Sequence, residues 1–203
     1  MANSVGLLEE LLHEWIAPLL KSEGFRKAGQ SFERENEETI IVVGYQRSVE
    51  RGECARFTVN LGIASKRLFA FEDPQRTKHT PVEVCHWSMR MGRTLDQPRD
   101  AWWELCSSAD LPAVGREHQE ILRTKALPLL EMTASDSRLR AEWTAGRAPG
   151  LTELQRLLNL SALLNDLEHR DEQRTVVEEL KDLARRKGFG GTVAVHLEEL
   201  GIE

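Results

Sequence analysis

Hydrophobic and polar side chains alternate regularly over residues 56–63, which is a full strand length. An alternation with a period of two is typical of a β-strand that is buried on one face. We expect the buried face to carry Phe57, Val59, Leu61 and Ile63. The opposite face would carry Arg56, Thr58, Asn60 and Gly62. The apolar face requires a cover, which amphipathic helices elsewhere in the chain can provide.

Two strand patterns precede this segment. Ser31–Glu35 and Thr39–Arg47 are separated by a short turn at 36–38, and a second turn at 51–53 leads into the central strand. Residues 40–43 are apolar on both parities, which predicts that this end of the strand is covered on both faces. Because the connections are short, we expect the strands to pair as an antiparallel meander.

Strand patterns also follow the central segment. Residues 82–92 alternate, which places Cys85, Trp87, Met89 and Met91 on the buried face and His86, Ser88 and Arg90 on the other. Residues 102–105 are interpreted as a short final strand, with one of Trp102 and Trp103 facing inward. Residues 66–71 are ambiguous, and residues 73–81, which are polar and contain two prolines, are typical of a loop.

Apolar residues at spacings of three and four predict helices at both ends of the chain. The N-terminal helix begins near Leu7 and ends at Gly24, and Pro18 should kink it or end it early. A helix over 114–132 contains Pro128, which should disturb it, and a shorter helix follows at 137–145.

The clearest break after the strand region is the segment 147–150. Thr152 and Gln155 then have the spacing of a capping box at the start of a leucine-rich helix. A charged helix over 171–187 ends in a group of glycines, and we expect Thr192 to cap a last short helix.

Together these patterns predict an α+β fold, in which a four- or five-stranded antiparallel meander sheet is packed by an N-terminal helix and a helical C-terminal half. The expected organisation is an α+β domain at 1–146 followed by a helical extension at 147–203. That extension either packs on the domain or serves as an interaction element.

Composition and charge narrow the classes of partner. Of the 203 residues, 40% are hydrophobic and 30% are charged, which is compatible with a globular core. The net charge of −6 argues against a protein that coats nucleic acid or anionic lipid, although a local basic patch is compatible with it. The start of the chain lacks a secretory pattern, and no apolar run approaches the roughly 20 residues of a membrane span. We therefore expect a cytoplasmic protein that does not enter membranes.

The three cysteines, Cys54, Cys85 and Cys106, are widely spaced. An odd number at wide spacing fits free thiols in a reducing cytoplasm better than a disulfide framework. Cys85 and His86 resemble a nucleophile beside a base, but neighbouring residues on a strand point to opposite faces. We therefore expect Cys85 to be a small hydrophobic residue of the core.

No motif with catalytic or metal-binding spacing occurs in the chain. His79, Cys85, His86 and Cys106 are of metal-ligating types, but they lack the short spacings of zinc sites. A glycine loop that could cradle phosphate between a strand and a helix is absent, and so is a nucleophile elbow. The sequence therefore predicts no catalytic residue, no metal and no cofactor.

One face of the predicted sheet is the best candidate for a binding site. If the strands pair in chain order, six polar residues share this face: Arg56, Thr58, Asn60, His86, Ser88 and Arg90. Two arginines on rigid strands can hold a carboxylate or a phosphate through paired hydrogen bonds. The alternatives are a solvated face whose arginines pair with nearby glutamates, and a face covered by the C-terminal helices.

Two functions follow as hypotheses. The first is a non-enzymatic binding or protein-interaction module, whose partner is another protein or a small anionic ligand and whose oligomeric state is open. The second is a hydrolase that acts on an anionic or phosphorylated substrate through His86, Arg90, Arg56 and Asn60. The absence of a catalytic motif favours the first.

Several segments of the chain together resemble a known family. They are residues 19–27, 31–34 and 56–63, the triplet Cys85-His86-Trp87 with Arg90, Gly92 and Arg93, and the pair Trp102-Trp103. These segments are similar to bacterial proteins grouped as domain of unknown function 4304, over roughly residues 5–132. The resemblance implies a small bacterial cytoplasmic α+β domain and identifies no catalytic residue. The segment after Gly150 lies outside it.

Overall fold

The structure, a computed structural model, describes residues 4–49, 53–73 and 79–202. Most of the turn predicted at 51–53 and the middle of the loop predicted at 73–81 lie outside these residues.

The strands form one antiparallel sheet. Their bounds are β1 Arg26–Ala28, β2 Ser31–Glu35, β3 Thr39–Arg47, β4 Ala55–Ser65, β5 Trp87–Arg90 and β6 Trp103–Leu105. The order is β1-β2-β3-β4-β5, and the short strand β6 pairs with the start of β4 beside β5. The predicted α+β fold with an antiparallel meander is confirmed, with β1 as a strand that the sequence analysis did not identify.

Helices precede and follow the sheet. Their bounds are α1 Ser4–Leu11, α2 Ala17–Ser22, α3 Lys66–Glu72, α4 Leu111–Ile121, α5 Leu127–Thr133, α6 Asp136–Thr144, α7 Glu153–Asp166, α8 Arg170–Lys187 and α9 Gly190–Glu199. The ambiguous segment is α3, whose first turn is capped by the Ser65 hydroxyl. Thr152 and Gln155 form the predicted capping box at α7. The cap predicted at Thr192 is wrong, because α9 begins two residues earlier at Gly190.

Pro18 and Pro128 lie within continuous helical segments. Each lies two residues beyond a single π-helical turn, at Leu12–Ile16 and Leu122–Ala126. In both turns the first residue of the next helix donates its N–H to a carbonyl five residues back. A proline has no N–H and its ring crowds the carbonyl four residues back, so a widened turn relieves both problems. The helices therefore change pitch at the prolines but do not end there.

The odd-numbered face of β4 lies at the centre of the main core, as predicted. Phe57, Val59, Leu61 and Ile63 are fully buried in one apolar cluster with Trp87 of β5. Helices α1 and α5 contact this strand and supply its cover. Burial of large side chains such as these contributes about 1.5–3 kcal/mol each, which makes this face a principal source of stability.

The other face of the sheet has a smaller apolar cluster of its own at one end. It comprises Val42, Ala64, Phe69, Val82 and Cys85, with Ile40 packed against it. The prediction that Cys85 shares a face with Trp87 is therefore wrong. Regular alternation does not reach Cys85, because the chain forms a 3-10 turn at Val82–Val84 and β5 begins only at Trp87. Cys85 packs over Gly62, where an added Cβ would lie 2.6 Å from the Cys85 sulfur.

The helices after the segment 147–150 pack on the rest of the chain. α7 contacts α3 and α6, and its apolar residues belong to the main core cluster. Arg156 of α7 is 6% exposed and donates a hydrogen bond of 2.5 Å to the Trp143 carbonyl. The connecting segment reaches the edge of the sheet, where the Ser88 N–H donates to the Pro149 carbonyl at 3.0 Å.

Cys54 and Cys106 form a disulfide, and Cys85 is a buried free thiol. The expectation that all three cysteines are free thiols is therefore wrong. The two bonded cysteines are 52 residues apart in sequence. They meet because β4 and β6 pair with Ala55 opposite Leu105, which brings the adjacent positions 54 and 106 together.

A histidine lies inside the aromatic part of the core. The Tyr45 hydroxyl is 3.2 Å from Nδ1 of His118, and the Trp103 ring centre is 4.5 Å from that of the histidine. His118 has no exposed surface, and its Nε2 has no hydrogen-bond partner among the described residues. Burial lowers the pKa of His118 from 6.5 to about 3, because a charged imidazolium would lose its hydration there.

We expect this histidine to make the protein less stable in mild acid. Between pH 6.5 and pH 3 the unfolded chain binds a proton at His118 that the folded chain does not. The free energy of unfolding should therefore fall as the pH is lowered, by up to about 1.4 kcal/mol per pH unit from this residue. Urea denaturation at pH 7 and pH 4.5 measures the effect. The His118→Gln variant should lose this part of the pH dependence, whereas His13→Gln, at an exposed site, should retain it. An unchanged pH dependence in His118→Gln would contradict the assignment.

Candidate functional site

The structure does not bring all six predicted site residues together. Asn60 pairs with Arg90 and Gly62 pairs with Ser88 in the register of β4 and β5, so Asn60, Ser88 and Arg90 share one region. His86 lies at the far end of β4, where its Nδ1 accepts the Ser65 N–H at 2.9 Å.

Arg56 lies at the opposite end of the same strand. It pairs with Glu104 of β6, whereas the His86 contact is with Ser65. At roughly 3.3 Å per residue, the nine steps from position 56 to position 65 span about 30 Å. Arg56 and His86 therefore cannot bind one small ligand together.

Asn60, Ser88 and Arg90 line a cavity of about 530 Å³, which we call the Arg90 cavity. Its lining is Asn60, Val82, Ser88, Met89, Arg90, Arg93, Pro149 and Gly150. Two arginines and no carboxylate are among these residues, so the cavity is positive in a chain of net charge −6. Arg93 is exposed and forms no ion pair with the residues that the structure describes.

The Arg90 guanidinium is held from two sides. Its Nε lies 3.3 Å from an oxygen of Asp100, and its central carbon lies 5.0 Å from the ring centre of Trp102. Its Nη1 is buried and has no hydrogen-bond partner within the described part of the chain. A buried N–H without a partner is costly, so this atom lacks an acceptor that a group from outside the chain could supply.

Trp102 joins Arg90 to Arg56. The guanidinium carbon of Arg56 is also 5.0 Å from the Trp102 ring centre, and its Nε is 3.9 Å from Glu104. Cations that stack on an indole are stabilised by about 0.5–2 kcal/mol. Arg56 therefore supports the indole that supports Arg90, although it does not line the Arg90 cavity. Sequence analysis predicted that one of the two adjacent tryptophans faces outward, but not that it lies between two arginines.

Thr58 is a structural residue. It is fully buried, and its hydroxyl donates a 2.9 Å hydrogen bond to the Ala101 carbonyl. This bond holds the segment before Trp102 against β4. Asn60 is half-buried, and its amide donates to the Gln46 side chain at 2.9 Å. Thr58 thus lies on the predicted face of the sheet, but the chain around Ala101 covers it.

Ser88 and Gly150 form one wall of the Arg90 cavity. Gly150 has a φ of +82°, and a Cβ at this position would lie 2.1 Å from the Ser88 hydroxyl. Only glycine tolerates both the left-handed conformation and the close approach. The segment 147–150 thus lies against the edge of the sheet and contributes Pro149 and Gly150 to the cavity.

A second cavity, of about 480 Å³, lies on the other side of this wall, and we call it the His86 cavity. Its polar lining residues are Glu72, Glu83, His86, Ser88, Gln155, Asn159, His196 and Glu199. It contains carboxylates and no arginine or lysine, so it is unsuited to an anion. Burial lowers the pKa of His196, which favours its neutral form.

The hydrogen bonds of His86 define the tautomer of its neutral ring. Because Nδ1 accepts the Ser65 N–H, the proton of the neutral ring is on Nε2, which donates to Glu72 at 3.2 Å. The ring is 3% exposed and packs 4.8 Å from the centre of the Phe69 ring. A histidine in this state has no free nitrogen lone pair with which to act as a base.

The described residues include neither a metal-holding cluster nor a membrane-spanning helix. No group of three or more histidine, cysteine, aspartate or glutamate side chains among them is arranged to hold a metal ion. No helix in the described ranges has both the length and the apolar character needed to cross a membrane.

Replacing Thr58 tests whether it is structural. The Thr58→Val variant keeps the shape of the side chain but leaves the Ala101 carbonyl without its donor. We expect the free energy of unfolding to fall by about 1–3 kcal/mol, because a buried polar group loses its partner. Urea denaturation measures this loss, and Thr144→Val, at an exposed position, is the control, with an expected change within about 0.5 kcal/mol. Equal stability of Thr58→Val and the wild type would show that the bond contributes nothing.

Comparison with known proteins identifies a family for this chain. No curated protein and no solved structure matches the chain significantly. The family model described as Domain of unknown function (DUF4304) matches residues 16–132, which is more than half of the chain. The match includes Asn60, Arg90, Arg93 and Trp102 but not Pro149 or Gly150. The chain therefore belongs to the family Domain of unknown function (DUF4304).

Proposed function

We propose that this protein is a bacterial cytoplasmic binding module without enzymatic activity, and that it holds a small anionic ligand in the Arg90 cavity. The bacterial and cytoplasmic setting is supported by its resemblance to the family. The proposed ligand carries a carboxylate or a phosphate, since these groups accept hydrogen bonds from two arginines at once.

The observation that carries the proposal is the state of Arg90 Nη1. This atom is buried and has no acceptor among the described residues, while it belongs to a residue that lines the cavity. An oxygen of a bound anion would supply the missing acceptor. Arg93, which lines the same cavity, would contribute a second positive charge.

The surroundings of Arg90 also support binding. Asp100 engages Nε and Trp102 lies along the guanidinium, so the side chain is oriented before a ligand arrives. Orientation of this kind lowers the conformational entropy lost on binding. Asn60 lines the same cavity, and its amide donates to the Gln46 side chain. This amide can donate to a ligand instead.

Hydrolysis has less support than binding. The hydrolase hypothesis requires His86 beside the arginines, but His86 lies in the other cavity with its Nε2 proton directed at Glu72. Ser88, which borders both cavities, has its hydroxyl packed against Gly150. The Arg90 cavity thus has cations but no base beside a nucleophile, which is the arrangement of a binding site.

Isothermal titration with pyrophosphate, inorganic phosphate and citrate tests the proposed site. We expect the wild type to bind at least one of these anions and Arg93→Gln to bind it about tenfold or more weakly, because a charge-assisted hydrogen bond contributes about 1.5–3 kcal/mol. Arg90→Gln should show a similar loss. Arg185→Gln is a matched control, because Arg185 is an exposed arginine on α8 that pairs with Asp182.

Two results would contradict the proposal. One is the absence of binding by all three anions, and the other is equal affinity in Arg93→Gln, Arg90→Gln and the wild type. A panel of phosphate-ester and carboxylate-ester substrates separates binding from catalysis. Turnover that disappears in His86→Ala would favour the hydrolase instead.

A further inference from the structure

The disulfide joins β4 and β6, the two strands that lie next to Trp102. Cys54 directly precedes β4 and Cys106 directly follows β6, with their Cα atoms 4.1 Å apart. The bond therefore closes the outer end of the β4–β6 pair, next to the rung formed by Ala55 and Leu105.

The β4–β6 pair is short. It has three rungs, Ala55–Leu105, Arg56–Glu104 and Phe57–Trp103. A strand pair of this length is only marginally stable by itself, so its stability depends on side-chain packing and cross-links. Trp103 and Leu105 are buried, so these side chains would keep β6 anchored while its backbone pairing frays once the covalent link is absent. The next rung, between Arg56 and the exposed Glu104, includes a long ion pair of 3.9 Å.

This rung is connected to the Arg90 cavity through Trp102. Arg56 is one of the two cations that stack on the indole, and Arg90 is the other. Trp102 itself lies between Ala101, which Thr58 holds, and the first residue of β6. Fraying of β6 from its outer end would release the Ala55–Leu105 rung first. The Arg56–Glu104 rung would follow, and with it the side of the indole that faces Arg56.

We propose that the Cys54–Cys106 disulfide is a redox control on the Arg90 cavity, in which reduction lets β6 fray and weakens anion binding. The inference rests on the proposed function, because the Arg90 cavity is the site that it regulates. A main core that already buries side chains from the sheet and most helices does not depend on a single cross-link at its edge. In a cytoplasmic protein, moreover, disulfides are usually transient and respond to the redox state.

Access and chemistry are compatible with reversible reduction. Cys106 is exposed and Cys54 is half-buried, so a dithiol reductant of the thioredoxin class can reach the bond. A thiolate of the reductant attacks the Cys106 sulfur, the S–S bond breaks, and Cys54 leaves as a thiolate that takes up a proton. The second thiol of the reductant then releases Cys106 as a thiol. Two electrons and two protons reach the protein, and the reductant is left as a disulfide.

Hydrogen exchange on the full chain tests the structural step. Samples are prepared oxidised and after reduction with dithiothreitol, and thiol titration verifies one free thiol, at Cys85, in the first state and three in the second. We expect amide exchange over residues 103–106 to become about tenfold faster after reduction, whereas β3 should exchange unchanged. Equal exchange over 103–106 in both states would overturn the proposal.

Anion titration tests the regulatory step. The oxidised protein should bind pyrophosphate about three- to tenfold more tightly than the reduced protein. The Cys106→Ser variant should match the reduced protein, and Cys85→Ala, which retains the disulfide, should match the oxidised one. Equal affinity in the two redox states overturns regulation while leaving the binding site in place. Absence of pyrophosphate, phosphate and citrate binding in both states would instead overturn the proposed function, and the regulatory claim with it, whatever the exchange result.

Discussion

The pairing of β4 with three other strands is the constraint on which the rest of the structure depends. The full length of β3 pairs with one edge of β4. Strands β5 and β6 pair with separate parts of the other edge of β4. Because a strand alternates, this pairing directs Phe57, Val59 and Leu61 into the core and Asn60 to the opposite face. A shift of one residue in the register would exchange the two faces. The core and the candidate site are therefore specified by the same backbone hydrogen bonds.

The candidate site shows how a positive cavity persists on an acidic protein. Arg90 and Arg56 are like charges, and they share the ring of Trp102, with Asp100 and Glu104 at their outer sides. The carboxylates are exposed, so they offset repulsion between the arginines and contribute little more. The inner nitrogen of Arg90 stays without a partner. This asymmetry distinguishes the Arg90 cavity from the carboxylate-lined cavity on the other side of Ser88.

Much of the fold could be predicted from the chain, and about half of the candidate site. Asn60, Ser88 and Arg90 meet as expected, because alternation and short connections define their face and their approximate order. Thr58 has the same parity but is covered by the chain near Ala101, whose path has no signature in the strand pattern. The same limitation applies to Arg93, which follows the end of β5 and reaches the cavity only through the turn there.

The sequence by itself determined the local elements: the alternating strands, the capping box at Thr152 and the positions of the prolines. These features follow from interactions between residues that are close in the chain, which a local pattern contains. The tertiary structure decided the bond between Cys54 and Cys106, the face of Cys85 and the separation of His86 from Arg56. Each of these depends on strand register or on the path of a loop, and both result from packing among segments that are far apart in sequence.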